Sequence, residues 1–197
     1  MVLFLCNILL TGVPGTGKTT IGKRLSKRLK LPFFKLGDIA LKKRFVKYFD
    51  EYHQSWIIDI DALKEYINSF LSRSTKCFLI ECFYCDIIEP HHVSKIIVLR
   101  THPLILLERL KKRNWPEHKI NENILAEALG SITYDMLSFF QKEKIFEIDT
   151  SQCRIDECVT LAYKIITSNE KKFLDSYNAG RIDWLSDERV LFLIEKI

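Results

Sequence analysis

The stretch Gly12-Val-Pro-Gly-Thr-Gly-Lys-Thr-Thr20 decides how this chain folds. It satisfies G-x-x-x-x-G-K-[S/T], the spacing of a loop that cradles nucleotide phosphates. The chain has only seven glycines in 197 residues, and Gly12, Gly15 and Gly17 fall inside this loop. Glycines allow the sharp turn and let backbone N–H groups converge on phosphate oxygens at the positive end of a helix. Lys18 then reaches the β- and γ-phosphates, and the Thr19 hydroxyl is placed to ligate Mg²⁺. The flanks agree. Leu3–Leu10 is an apolar run of the kind found in a buried parallel strand, and Ile21, Leu25 and Leu29 follow with helical spacing. Strand, glycine-rich turn and helix are the context that the motif needs. The expected nucleotide-binding residues here are Gly12, Gly15, Thr16, Gly17, Lys18, Thr19 and Thr20.

Length and composition bound the rest. A chain of 197 residues suits one α/β domain, and 47% hydrophobic with 28% charged residues excludes disorder, collagen-like repeats and a membrane bundle. The apolar run Met1–Leu10 lacks a basic leader and is half the length of a membrane span, so no membrane partner and an intracellular protein are expected. Net charge is +5 but uneven: residues 18–47 hold eleven Lys or Arg against one acid, net +10, leaving −5 on residues 48–197. That block calls for a polyanionic partner. The six cysteines are scattered and expected to be reduced. Cys82-x-x-Cys85 with His91 and His92 has the look of half a zinc site, but no second such pair exists and no zinc is expected.

Beyond the loop, the pattern predicts strands at Phe33–Lys35, Lys76–Glu81, Lys95–Arg100 and Ile145–Asp149. Helices are predicted over Gly37–Tyr48 with Asp38 as N-cap, Asp59–Leu71, Pro103–Arg113, Asn121–Gln141 and Arg154–Thr167. Strands alternating with helices imply right-handed crossovers, hence an α/β fold with a five-stranded parallel sheet covered on both faces. Past residue 167, a helix closed by Gly180 and a last helix capped by Ser186 are predicted, the latter with an apolar face of Val190, Leu191, Leu193, Ile194 and Ile197 packing back on the core. The chain has no N-K-x-D string of the kind by which GTPases read their base.

The ordered set Asn7-Ile-Leu-Leu-Thr-Gly-Val-Pro-Gly-Thr-Gly-Lys-Thr-Thr20, Leu36-Gly-Asp-Ile-Ala40, Phe49-Asp-Glu-Tyr52, Ile57-Ile-Asp-Ile-Asp61, Val98-Leu-Arg-Thr101, Leu107-Glu-Arg-Leu110 and Arg113-Asn-Trp115 resembles the nuclear adenylate-kinase-like family, also described as small-ribosomal-subunit maturation ATPases. The resemblance spans about residues 6 to 167. It implies a P-loop nucleoside monophosphate kinase fold over residues 1–167, with a helical monophosphate-binding insert at 37–71, a short lid at 109–121, and 168–197 as a C-terminal helical extension. It implies ATP and AMP as substrates, Mg²⁺ as cofactor, and a role in small-subunit assembly and rRNA processing with a small-subunit ribosomal protein and pre-rRNA. It also implies a monomer in the nucleus and cytoplasm of a eukaryote, or in the cytoplasm of an archaeon. Arg109 and Arg113 match the paired lid arginines, and their i, i+4 spacing would put both guanidiniums on one helix face. Lys18, Arg113 and Glu81 are the expected catalytic set, with Thr19 and Glu81 holding Mg²⁺, partly through water. Gly37, Asp38, Lys42 and Arg44 are the expected monophosphate contacts.

Two positions depart from the family's pattern. Glu81-Cys-Phe-Tyr-Cys-Asp86 stands where the family has Asp-x-His-x-x-Asp, so Phe83 replaces an imidazole that would orient water. Leu41 stands where an arginine would clamp the acceptor phosphate, leaving Lys42, Lys43 or Arg44 to do so without arginine's placement or fork.

Overall fold

The computed structural model describes residues 7–197; residues 1–6, including the start of the predicted first strand, lie outside the described residues. The phosphate loop lies between β1 (Asn7–Thr11) and α1 (Lys18–Leu29), as its sequence requires. The chain continues through β2 (Phe33–Lys35), α2 (Leu36–Lys43), β3 (Val46–Asp50), β4 (Ser55–Ile58), α3 (Ile60–Arg73), β5 (Leu79–Glu81) and β6 (Val93–Arg100). Then come α4 (Pro103–Lys111), α5 (Glu117–Ala128), α6 (Ser131–Phe139), β7 (Ile145–Asp149), α7 (Ile155–Thr167), α8 (Lys171–Asp175) and α9 (Glu188–Ile194). Five strands form one parallel sheet in the order β2-β5-β1-β6-β7.

The period-2 alternation of the strands splits the core in two. Ile8 and Leu10 of β1 and Ile97 and Leu99 of β6 face α1 and α7, meeting Ile21, Leu25, Val159, Ala162 and Ile165. Leu9, Ile96 and Val98 face the other way, onto Leu63 and Ile67 of α3, Leu106 and Leu110 of α4, and Ile124 and Met136 of α5 and α6. Helices on both faces leave the carboxyl ends of the strands open as the place for a ligand.

Several predicted features change. The helix expected over Gly37–Tyr48 stops at Lys43, because Arg44 adopts a left-handed backbone (φ 61°) and its N–H bonds the Leu41 carbonyl. Val46–Asp50, aromatic and β-branched, instead pairs antiparallel with Ser55–Ile58, so the 37–71 insert contains a two-stranded hairpin and is not wholly helical. Asp38 does not cap α2; Lys35 holds the cap position and Asp38 bonds its ammonium at 2.9 Å. The helix expected over Asn121–Gln141 is broken at Gly130, whose φ of +67° ends α5 and starts α6. At the end of the chain, Asp187, not Ser186, caps the last helix by accepting the Arg189 N–H.

Residues 168–197 lie against this domain. Tyr177–Ala179 runs antiparallel to β7, with Glu147 N–H donating to the Tyr177 carbonyl and Ala179 N–H to that of Ile145. An otherwise open sheet edge is thereby covered. Val190 of α9 is fully buried. Among the described residues, no helix is long and apolar enough to cross a membrane.

Candidate functional site

The loop conformation depends on two glycines. Gly12 has φ +134°, and a Cβ there would collide with the Leu99 carbonyl oxygen of β6. Gly15 has φ +97°, and its Cβ would lie 2.6 Å from Leu106 Cδ1 of α4. Neither backbone position accepts a side chain without moving its neighbours. Thr16 is fully buried and turns its hydroxyl inward, donating to the Val13 carbonyl at 2.9 Å. Gly17, at φ 98°, is the N-cap of α1, so the first N–H groups of the helix point into the loop.

Lys18 folds back over the loop and donates to the Gly12 carbonyl at 2.6 Å and the Val13 carbonyl at 3.0 Å. Burial lowers its ammonium pKa to about 8, against the opposing pull of the Glu81 carboxylate. Because a buried lysine loses its charge as pH rises through that value, nucleotide affinity is expected to weaken on the alkaline side. KM for ATP should climb by up to about tenfold per pH unit above 8, since bound polyphosphate favours the ammonium that free protein is losing. A flat KM between pH 7.5 and 9.5 overturns this.

Thr19 Oγ1 donates to the Glu81 carboxylate, 2.9 Å and 3.1 Å from its two oxygens. Glu81 ends β5, which pairs directly with β1, so sheet register delivers the carboxylate to the loop. Two hard oxygen donors converge beside Lys18, a donor set that fits Mg²⁺ with several of its waters retained. The extra methylene of Glu81 does not prevent it from reaching Thr19.

Two clefts flank the loop. One, of 310 Å³, is lined by Gly15, Lys18, Thr19, Glu81, Arg113 and Trp115 among others. The second, of 390 Å³, is lined by Gly17, Thr20, Arg109, Arg113, Thr150 and Cys158 among others. A larger groove of 550 Å³ between α7 and α8 contains no residue of the loop. Arg113 lines both loop clefts, but not as one of two arginines on a single helix face. α4 ends at Lys111, Lys112 caps it, and Arg113 N–H closes a turn onto the Leu110 carbonyl. Arg109 remains on the helix and lines the second cleft. Its guanidinium donates to the Thr150 carbonyl at 2.7 Å and contacts Gly15 O, Thr101 Oγ1 and Thr150 Oγ1 at 3.3–3.4 Å. It ties the loop to the ends of β6 and β7.

A protein-family profile described as an AAA domain matches residues 8–130. A protein of Saccharolobus solfataricus named "Putative adenylate kinase" is 32% identical over 190 residues, covering 96% of this chain and 93% of its own. One of the same name from Archaeoglobus fulgidus is 33% identical over 186 residues, covering 91% and 92%. The chain belongs to the adenylate-kinase-like P-loop family. Its fold is also that of shikimate kinases: the enzyme from Acinetobacter baumannii, solved with shikimate, superposes with a TM-score of 0.59 at 18% identity over 85% of this chain and 96% of its own. That from Bacteroides thetaiotaomicron gives 0.52 at 18% identity, covering 83% and 99%.

In this member of the family, the expected monophosphate contacts stand apart from the loop. Gly37, Asp38, Lys42 and Arg44 are exposed on α2 and its end, and none lines either loop cleft. Lys43 lies over the Tyr66 ring, 5.1 Å from its centroid. Leu41 and Phe83 are 49% and 44% exposed. Cys82 is a buried thiol that donates to the Tyr84 carbonyl, and burial pushes its pKa up to about 12; burial raises Cys85 as well. Sequence reasoning missed Thr150, whose hydroxyl donates to the Thr16 carbonyl at 3.1 Å and faces Thr101 at 2.7 Å. It also missed the buried carboxylates behind the site. Glu127 and Glu147 both hold Arg100, and Glu127 also accepts from the Trp184 indole.

Proposed function

We propose that this chain is a nucleoside monophosphate kinase that moves the γ-phosphate of ATP·Mg²⁺ to AMP or a related monophosphate. The observation that carries the reading is the convergence of Lys18, Thr19, Glu81 and Arg113 on one cleft at the mouth of the phosphate loop. An oxygen of the AMP phosphate attacks the γ-phosphorus, the bond from phosphorus to the β,γ-bridging oxygen breaks, and its electrons stay on the ADP that leaves. Two ADP result. Charge spreads over the equatorial oxygens during transfer, so convergent cations matter more than a proton-transfer base. Lys18 serves the bridging and γ-oxygens, and Arg113 the transferring group. Thr19 and Glu81 would hold Mg²⁺, which would supply neutralisation of the phosphate charge. Arg109 keeps the loop in register with the sheet through Thr150.

The test is ADP formation from ATP by the purified protein, with and without each nucleoside monophosphate. Stimulation by at least one supports the reading, and stimulation by none removes it. The two departures make a sharper prediction. Without an arginine at position 41 and an imidazole at position 83, wild-type AMP affinity and basal hydrolysis are both expected to be low. One charged hydrogen-bonding contact is worth about 1.5–3 kcal/mol, roughly ten- to a hundredfold. Leu41→Arg should therefore raise kcat/KM for AMP by about that factor, and Phe83→His should raise hydrolysis. If wild-type protein already saturates at low AMP and Leu41→Arg changes nothing, Lys42, Lys43 or Arg44 holds the acceptor phosphate.

A second reading, an ATP-dependent small-subunit assembly factor, is favoured by the exposed cations on α1, on α2 and after it: Lys23, Lys27, Lys42, Lys43, Arg44 and Lys47. They offer a surface for a ribosomal protein–RNA partner. ATP-dependent capture of a small-subunit ribosomal protein, without any AMP-stimulated ADP formation, would favour this role over the kinase.

A further inference from the structure

Arg113 would be poorly placed by its own backbone. It sits beyond the end of α4, is exposed, and among the described residues its one side-chain partner is the Trp115 ring, 5.1 Å from the guanidinium carbon to the ring centroid. The intervening Asn114 has φ 53°, a left-handed conformation that asparagine tolerates, and it folds the two side chains toward each other. Pro116 follows as the N-cap of α5 and restricts Trp115 in turn. Trp115 is half-buried against the core beneath it and also lines the 310 Å³ cleft. The indole is thus a partly buried plate and Arg113 the exposed group resting on it.

The same ring carries a second cation. Lys119 Nζ lies 4.5 Å from its centroid and donates to the His53 carbonyl at 2.7 Å. His53 belongs to the turn between β3 and β4, in the insert opposite the lid. Beside it, His118 Nε2 donates to the Tyr52 carbonyl at 2.9 Å, with its ring stacked on Tyr52 at 3.9 Å and 17°. His53 also faces Asp50 at 2.6 Å and Glu122 at 3.3 Å. The hairpin tip is therefore bonded to the start of α5, and Trp115 and Lys119 stand at the joint.

We infer that Trp115 is a positioning residue that holds Arg113 over the phosphate loop by a cation–π contact and, through Lys119, links that arginine to the β3–β4 hairpin of the acceptor-side insert. This rests on the phosphoryl-transfer reading above and names a device serving that same site. Its consequence is that the arginine is set for transfer when hairpin and lid are engaged, so a disturbance at the hairpin tip reaches the phosphate site without touching nucleotide.

Steady-state ADP formation separates cation–π positioning from mere packing. Cation–π contacts range from about 0.5 to 2 kcal/mol, which corresponds to about two- to thirtyfold. Trp115→Leu, apolar but without a π face, is expected to lower kcat by that factor with KM for ATP within about twofold, while Trp115→Phe restores most of kcat. Lys119→Met should lower kcat too, and Trp115→Leu/Lys119→Met should be no worse than Trp115→Leu alone, since both act through one path. Equal damage from Leu and Phe at 115, or additive losses in the double variant, overturns the proposal. A binding arm needs no turnover. ATP·Mg²⁺ should change tryptophan emission in the wild type, and the change should vanish in Trp115→Phe and in Arg113→Gln while calorimetry still shows binding. Persistence of the change in Arg113→Gln also overturns it. Absence of AMP stimulation in the wild type would remove the kinase reading and leave the emission arm to decide the pairing.

Discussion

Lys18→Met is expected to abolish ATP-dependent turnover, by at least about a hundredfold, while leaving the thermal unfolding midpoint close to that of the wild type. The magnitude is that of removing one preorganised charge from a water-poor site where transition-state charge develops. The fold should survive because Lys18 contributes little to the core. Among the described residues, its hydrogen bonds go only to the Gly12 and Val13 carbonyls of its own loop, and the Val13 carbonyl keeps the Thr16 hydroxyl as a donor when it is gone. Methionine keeps most of the stem and none of the charge, and burial already presses this ammonium toward its neutral form. Loss of the charge should therefore be tolerated structurally and felt chemically. The measurement is kcat/KM for ATP alongside a melting curve. Unchanged turnover in a folded variant removes the phosphate-loop reading, whatever the family resemblance.

The loop was legible because its chemistry is local: the eight consecutive residues Gly12 to Thr19 fix glycine backbone angles, helix start and lysine reach together. β6, β7 and α7 were legible for a related reason, since their β-branched runs and helical spacing repeat within a short window. The hairpin was missed where two local signals competed. Leu36, Ile39 and Ala40 carry helical spacing into a basic run, but Val46-Lys-Tyr-Phe49 is strand-like and the polar turn after it was the available cue. Gly130-Ser131 likewise marked the break between α5 and α6. The roles of the two arginines were not legible. Identical residues four apart diverge because α4 ends between them, which leaves Arg109 on the Gly15 and Thr150 carbonyls and Arg113 on an indole. What decides such roles is the position of groups like Thr150, 41 residues away from Arg109 in sequence.

Arg100→Met is expected to destabilise the protein by about 3–5 kcal/mol, the cost of stranding buried charge. For a domain of this size, that is a drop of about 6–20 °C in unfolding midpoint. Arg100 is 2% exposed and donates to Glu127 at 2.8 Å and Glu147 at 2.6 Å, with a further bond to the Glu127 carbonyl at 2.9 Å. The two carboxylates are just as buried, and they hold the C-terminal segment. Glu127 accepts from the Trp184 indole at 2.9 Å, and Glu147 Oε2 from the backbone N–H groups of Gly180, Arg181 and Ile182 at 2.9–3.3 Å. Removing the guanidinium leaves two buried acids without the cation they share, and Glu127 can relieve its stranded charge only by taking up a proton. Burial already raises the Glu127 pKa against the opposing pull of Arg100, so without the guanidinium it would lie further above its unfolded value. The native form therefore binds more protons than the unfolded chain, and stability falls as pH rises. The deficit of Arg100→Met should accordingly shrink on going from pH 7 to pH 5, opposite to the acid loss of a salt-bridged carboxylate. Glu127→Gln, which keeps an acceptor for Trp184 and leaves one charge pair intact, should cost much less. Melting curves of both variants across that range decide the matter: a pH-independent deficit, or equal losses in the two, would mean that packing rather than charge holds residues 177–187 to the sheet.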